Sequence, residues 1–143
     1  MKGLMTAVLL QLLLFAMVAQ PSAAAETKLS EGEARDLLRV FLKSKGYDTK
    51  AAPLDIETSS AAADEAECAS AFYLFAVFVD TPQRLVKLGN YGINSTTGDI
   101  WNLVECKRVT SKAIAHKQGQ IRKSSGLSSA DLRRARKAPV CCF

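Results

Sequence analysis

Between Phe72 and Cys106 the chain reads FYLFAVFVD, TPQ, RLVKLGNYGIN, STTG and DIWNLVEC, three strand-like runs parted by two sets of turn residues. Phe72 to Val79 is apolar at almost every position, which predicts a central strand covered on both faces or nearly so. Pro82 presets φ in the first turn. In the second run, Arg84 to Asn94, Gly89 and Gly92 predict a bulge or a close backbone approach. The third run, Asp99 to Cys106, alternates Ile100 and Val104 on one face with Trp101 and Leu103 on the other. Connections this short hold neighbouring strands antiparallel, so the stretch predicts a three-stranded meander.

A sheet of this kind needs a cover, and the preceding residues supply one. Ser30-Glu31-Gly32-Glu33 is a capping box, in which the Ser30 hydroxyl meets the amide of residue 33 and Glu33 reaches back. Ala34, Leu37, Leu38, Phe41 and Leu42 then recur at the spacing of one helical face, opposite Arg35, Arg39 and Lys43. Gly46 is placed to stop the helix in a left-handed cap. Burying this stripe is worth about 1.5–3 kcal/mol per large side chain, and Trp101 is expected to pack beneath it. Leu54-Asp55-Ile56 reads as a fourth, edge strand, because Pro53 suits the start of an edge better than a centre. Ser59 to Ala63 reads as a loop, and Asp64, Glu65 and Glu67 as a solvated acidic surface.

Beyond the meander a helix is expected from a cap at Thr110 or Ser111, with a thin apolar face of Ile114, Gln118 and Ile121, ending at Gly126. Ser128, with Asp131 three residues on, starts a second short helix over Ala130 to Arg136, stopped by Pro139. The fold class expected is α+β: an N-terminal helix on a three- to four-stranded antiparallel meander, followed by two short helices.

The N-terminus sets the compartment. Lys2, the apolar run Leu4 to Val18, Pro21 and the small residues Ala23 and Ala25 have the three-part build of a secretory signal cleaved after Ala25. The run is shorter than the roughly 20 residues that span a bilayer. Residues 1–25 are therefore read as signal peptide and 26–143 as one domain, of which 106–143 is a basic helical extension. A periplasmic or secreted location follows, and there Cys68, Cys106, Cys141 and Cys142 can form disulfides. Zinc ligation would call for paired C-x-x-C spacing, which is missing. A third strand running to Cys106 would leave that residue on the order of 25 Å from Cys68, at about 3.3 Å per residue, too far for a bond between them. Cys106 bonded to Cys141 or Cys142 is preferred. A vicinal Cys141–Cys142 bond stays open though strained.

Charge is divided along the chain: Lys107 to Phe143 holds ten Lys or Arg against Asp131 alone, while Glu26 to Cys106 is acidic on balance. A basic tail attracts an acidic protein, an anionic surface or nucleic acid. Nucleic acid is not expected, since no aromatic residues interleave with these charges to stack on bases. A tail lying across the acidic segment Asp48 to Glu67 of the same chain is the intramolecular alternative.

At YGINSTTGDIW, with its aromatic strand, its Thr97-Gly98 turn, an acid and Ile100-Trp101, the chain resembles the PepSY domain, whose repeat is a helix followed by a hairpin with a similar turn. The layout from Ser30 to Cys106 is also similar to the cystatin-like architecture. The resemblance implies a module that binds or restrains an exported enzyme, and it carries no catalytic set. The cystatin Gln-x-Val-x-Gly loop is missing, so cysteine-protease inhibition is not implied.

No Gly-rich phosphate loop, H-E-x-x-H helix or G-x-S-x-G elbow occurs, and nothing in the pattern calls for a cofactor or a metal. His116, the sole histidine, lies among Lys112, Lys117 and Gln118 as a solvent-facing residue. Asn94-Ser95-Thr96 is a glycosylation sequon whose turn role suffices to explain it. Tyr91 and Trp101 are candidate aromatic anchors, since such residues dominate binding hot spots. Arg122, Lys123, Arg133 and Arg134 are the candidate basic contacts. The expectation is a non-enzymatic inhibitor or immunity-type protein that occupies an exported enzyme or toxin; the alternative is an envelope accessory domain that binds anionic surfaces through its tail.

Overall fold

The computed structural model describes residues 28–48, 50, 52–59 and 70–139. The expected signal peptide, the acidic set Asp64, Glu65 and Glu67, and the cysteines Cys68, Cys141 and Cys142 lie outside the described residues. Helix α1 (Glu31–Ser44) begins at Ser30, where both bonds of the capping box form. It ends in a Schellman arrangement: the Tyr47 amide donates to Leu42 O and the Gly46 amide to Lys43 O, with Gly46 at φ +89. Its buried face is the stripe Ala34, Leu37, Leu38, Phe41 and Leu42.

That stripe lies on an antiparallel sheet in sequence order: β1 (Leu54–Thr58), β2 (Phe72–Asp80), β3 (Leu85–Asn94), β4 (Ile100–Asn102) and β5 (Lys107–Val109). The fold is thus α+β as expected, with five strands where three to four were expected. The difference arises after Asn102. Its Oδ1 accepts the amides of Val104 and Glu105, a local turn that competes with strand continuation, and Cys106 takes φ +50. The chain reverses, and Lys107 pairs back with Asn102. The third run is therefore a three-residue strand and a turn, and the basic extension begins inside the sheet. Val104, expected to share a face with Ile100, is exposed on that turn.

Between β2 and β3 the register shifts at Val77/Phe78, opposite Leu88 and Gly89, the bulge that the glycines foretold. Gly92 is the close approach: a Cβ there would stand 3.1 Å from Leu103 Cδ2. One sheet face, bearing Phe75, Val77, Tyr91, Ile93 and Ile100, forms the main core with α1 and with Ile114 and Ile121 of helix α2 (Lys112–Ser124). The other face carries a separate cluster of Phe72, Leu74, Trp101 and Leu103. Trp101 therefore packs on the side away from α1, which corrects the expectation that it lies beneath that helix. The reason is register: Trp101 pairs with Gly92, whose neighbours Tyr91 and Ile93 take the α1 face. Helix α3 (Ser129–Ala135) buries no residue of its own.

Candidate protein-binding site

The hairpin turn between β3 and β4, residues 94 to 99, is hydrogen-bonded to both helices that carry the basic residues. Asn94, Ser95, Thr96, Thr97 and Asp99 are all buried, which is unusual for a polar turn and requires that its groups be satisfied internally. Asn94 Oδ1 accepts from the Thr96 amide, the Thr96 hydroxyl and the Thr97 amide. Thr97 Oγ1 accepts the Asp99 amide. The remaining groups are met from elsewhere in the chain: the Leu29 amide donates to Ser95 O, Gln118 Nε2 to Gly98 O at 2.8 Å, and Asn94 Nδ2 to Ala135 O at 3.1 Å. This explains Gln118 on the otherwise apolar face of α2. It also settles the sequon, because the Asn94 amide nitrogen that a glycan would need is buried and bonded to α3.

Gly98 sits at φ +66, with Ile121 and Leu37 pressed so close that a Cβ would stand 2.8 Å and 3.2 Å from their methyl carbons. The turn thus places the next residue, Asp99, under α2 and α3. Its side chain is 4% exposed. Arg122 Nη1 lies 3.3 Å from Oδ1, Arg136 Nε lies 3.1 Å from Oδ2, and Arg108 Nη1 is 3.9 Å from Oδ1. One buried carboxylate therefore gathers guanidinium groups from α2, from β5 and from the end of α3. Three positive charges converge on one negative, leaving a local surplus of two.

Above this centre α2 and α3 flank an open cleft of about 660 Å³ walled by Arg122, Lys123, Arg133 and Arg136, with Leu127 and Leu132 half-buried along it. Arg122, Lys123 and Arg133 were expected contacts, and the structure brings them together here. Arg134 is turned away to Asp131, and that pairing together with the Ser128 hydroxyl holds the Asp131 carboxyl below its usual range, Ser128 contributing more. Arg136 and Asp99 went unremarked as site residues. The signal that could have found Asp99 is an acid in the Thr-Gly turn ahead of a tail with ten cations.

Tyr91 and Trp101 are not neighbours. Tyr91 faces α1, its ring edge-on to Phe41 at 6.5 Å, and Trp101 lies on the opposite face. Each is 8% exposed, so little of either ring is open to a partner. Burial raises the Tyr91 phenol above its ordinary value, and Tyr47 and Glu105 add to this. Trp101 Nε1 is buried with no hydrogen-bond partner among the described residues. His116 is exposed on α2. The tail's ion pairs among the described residues run to Asp99 and Asp131, and none runs to Asp48, Asp55 or Glu57. Asp48 instead accepts the Leu54 amide and pairs with Lys43, which together hold its carboxyl low, the amide contributing more.

Cys106 is disulfide-bonded, and the other cysteines lie outside the described residues. The third run does not carry the chain the roughly 25 Å that a strand from Asp99 to Cys106 would give. Because β4 spans only Ile100 to Asn102, Cys106 stands near the level of Phe75, about 10 Å along the sheet from Phe72 at roughly 3.3 Å per residue.

Among the described residues no group of three or more His, Cys, Asp and Glu is placed to hold a metal, and no helix is long and apolar enough to cross a membrane.

The architecture is that of a small α+β protein, a helix-covered antiparallel meander with a basic helical pair at one end. No protein-family model and no curated protein matches the chain. A solved chain does: it belongs to the structure of a type VI secretion system effector-immunity complex from Pseudomonas protegens, with a TM-score of 0.63 and 23% identity over 82% of this chain and 93% of that one. At that identity the likeness establishes a shared fold.

Proposed function

We propose that this chain is an exported, non-enzymatic protein of the inhibitor or immunity type that occupies a partner protein, an effector or toxin. The observation that carries the reading is the fold shared over nearly the whole of a chain from an effector-immunity complex. The basic cleft supports it, since it is open and walled by long cations that can meet an acidic partner surface. Periplasmic or secreted residence belongs to the proposal, and so does the pairing of Cys106 with a tail cysteine, which would tie the end of the chain to the sheet.

The test is affinity capture by the oxidised chain Glu26–Phe143 from an envelope extract, followed by assay of the captured protein. The expected result is a discrete protein partner whose activity falls in proportion to added chain and vanishes at equimolar ratio. Binding to vesicles of phosphatidylglycerol with no protein captured would overturn the reading in favour of an accessory domain for anionic surfaces.

A further inference from the structure

Asp99 does more than join helices. It is nearly sealed from solvent, yet it engages Arg122 through a single nitrogen, Nη1, and Arg136 through Nε. A guanidinium has five N–H donors in a rigid fork. Among the described residues neither arginine makes another side-chain bond, so each is held at its inner edge while most of its donors remain for the cleft that both line. The usual entropic cost of ordering a long cation on binding is thereby largely met before a partner arrives. Lys123 and Arg133 extend the same wall and are exposed. From Lys112 to Pro139 there are eight Lys or Arg against Asp131 alone, and Asp131 is occupied by Arg134.

Resting on the partner-binding reading above, we propose that the cleft between α2 and α3 receives an acidic segment of the partner protein, two or more carboxylates flanking one apolar side chain. The carboxylates take the outward donors of Arg122 and Arg136 in forked pairs, with Lys123 and Arg133 supplying the surrounding field. The apolar side chain seats on Leu127 and Leu132. Charge chooses an anion, and the leucines choose a peptide over a free ion. Nucleic acid is disfavoured because positions 107–142 contain no Phe, Tyr or Trp for a base to stack on. A bilayer is disfavoured because Leu127 and Leu132 line the cleft rather than project from it.

The site can be tested apart from the partner. The 15N-labelled oxidised chain is titrated with a synthetic peptide, acetyl-Gly-Glu-Glu-Leu-Glu-Glu-Gly-amide, and in parallel with its all-glutamine counterpart, inorganic phosphate and phosphatidylglycerol bicelles. The acidic peptide is expected to shift amides of Gly119, Arg122, Lys123, Leu127, Leu132 and Arg133, and the glutamine peptide to bind at least tenfold more weakly. Lys123→Glu with Arg133→Glu touches neither Asp99 nor the core; it should keep the native spectrum and lose the response at least tenfold, whereas Arg84→Glu on the β2–β3 loop should not. Shifts centred elsewhere, equal binding of the glutamine peptide, or a response to phosphate or bicelles without one to the peptide would overturn the assignment. If a partner is captured equally by the wild type and by the Lys123→Glu/Arg133→Glu variant, the cleft assignment fails and the binding function stands. If no partner is captured by either, the binding function itself fails.

Discussion

Replacing Asp99 by Asn keeps the volume and one neutral acceptor but removes the charge on which Arg122, Arg136 and Arg108 converge. A hydrogen bond to a charged group contributes about 1.5–3 kcal/mol. Two such bonds lie within hydrogen-bond distance, and both arginines are partly solvated, with 24% and 40% of their side chains exposed. Screening and the surviving amide acceptor reduce the sum to about 2–4 kcal/mol. Unfolding entropy near roughly 2.1 cal/mol/K per residue, over the residues from Glu26 to Phe143, makes the expected fall in Tm about 8–16 °C. Circular dichroism during heating and urea denaturation measure it. Because α3 buries nothing of its own, it should also loosen first, so trypsin should cut at Arg133 and Arg134 sooner in the variant. A cycle with Arg136→Met should return a coupling of about 1 kcal/mol or more. A variant within about 0.5 kcal/mol of wild type, with unchanged tryptic cleavage, would refute the view that this carboxylate holds the basic helices in place.

Gly98→Ala should destabilise by about 2–4 kcal/mol, combining the left-handed backbone cost of roughly 1–2 kcal/mol with crowding of Ile121 and Leu37; urea midpoints at unchanged slope would show it. Glu33 has its carboxyl held low, first by the Ser30 amide and then by the Ser30 hydroxyl. A depressed folded value contributes stability that is present above the ordinary value of 4.5 and lost as pH falls below it. Ser30→Ala should therefore lower stability at pH 7 by about 0.5–1 kcal/mol and by less at pH 3, as read from paired denaturation curves. Peptide mapping of the oxidised chain should recover Cys106 joined to Cys141 or Cys142, and a Cys68–Cys106 peptide would show the tail to be held by side chains alone.

The helix and the first two strands of the meander were legible because periodicity and punctuation agree there: a capping box, a three-and-four stripe, a glycine stop, then a run of apolar residues too dense for an edge. Gly89 and Gly92 announced the bulge and the close approach that they mark. The third run misled because alternation of Ile100, Trp101, Leu103 and Val104 looks like a continuous strand, while Asn102 has a side chain able to capture two amides and end it. Which face Trp101 takes depends on its pairing with Gly92, a long-range fact that alternation alone does not carry. The cations of the cleft were visible as a surplus of charge. Their gathering was not, since it depends on residues 99, 122 and 136 meeting around a turn whose burial no local pattern signals. Gln118 was counted in the thin apolar face of its helix and proves to be the donor that the Gly98 carbonyl needs.

The buried turn at residues 94 to 99 draws partners from Leu29, ahead of α1, and from Gln118 and Ala135 on the two C-terminal helices. A nascent chain lacking its last dozen residues would leave the Asn94 amide and half of the Asp99 carboxylate unanswered in a dry interior. The hairpin thus links the end of the chain to the middle of the sheet, and a copy cut before residue 132 should be digested faster by proteases than the whole chain.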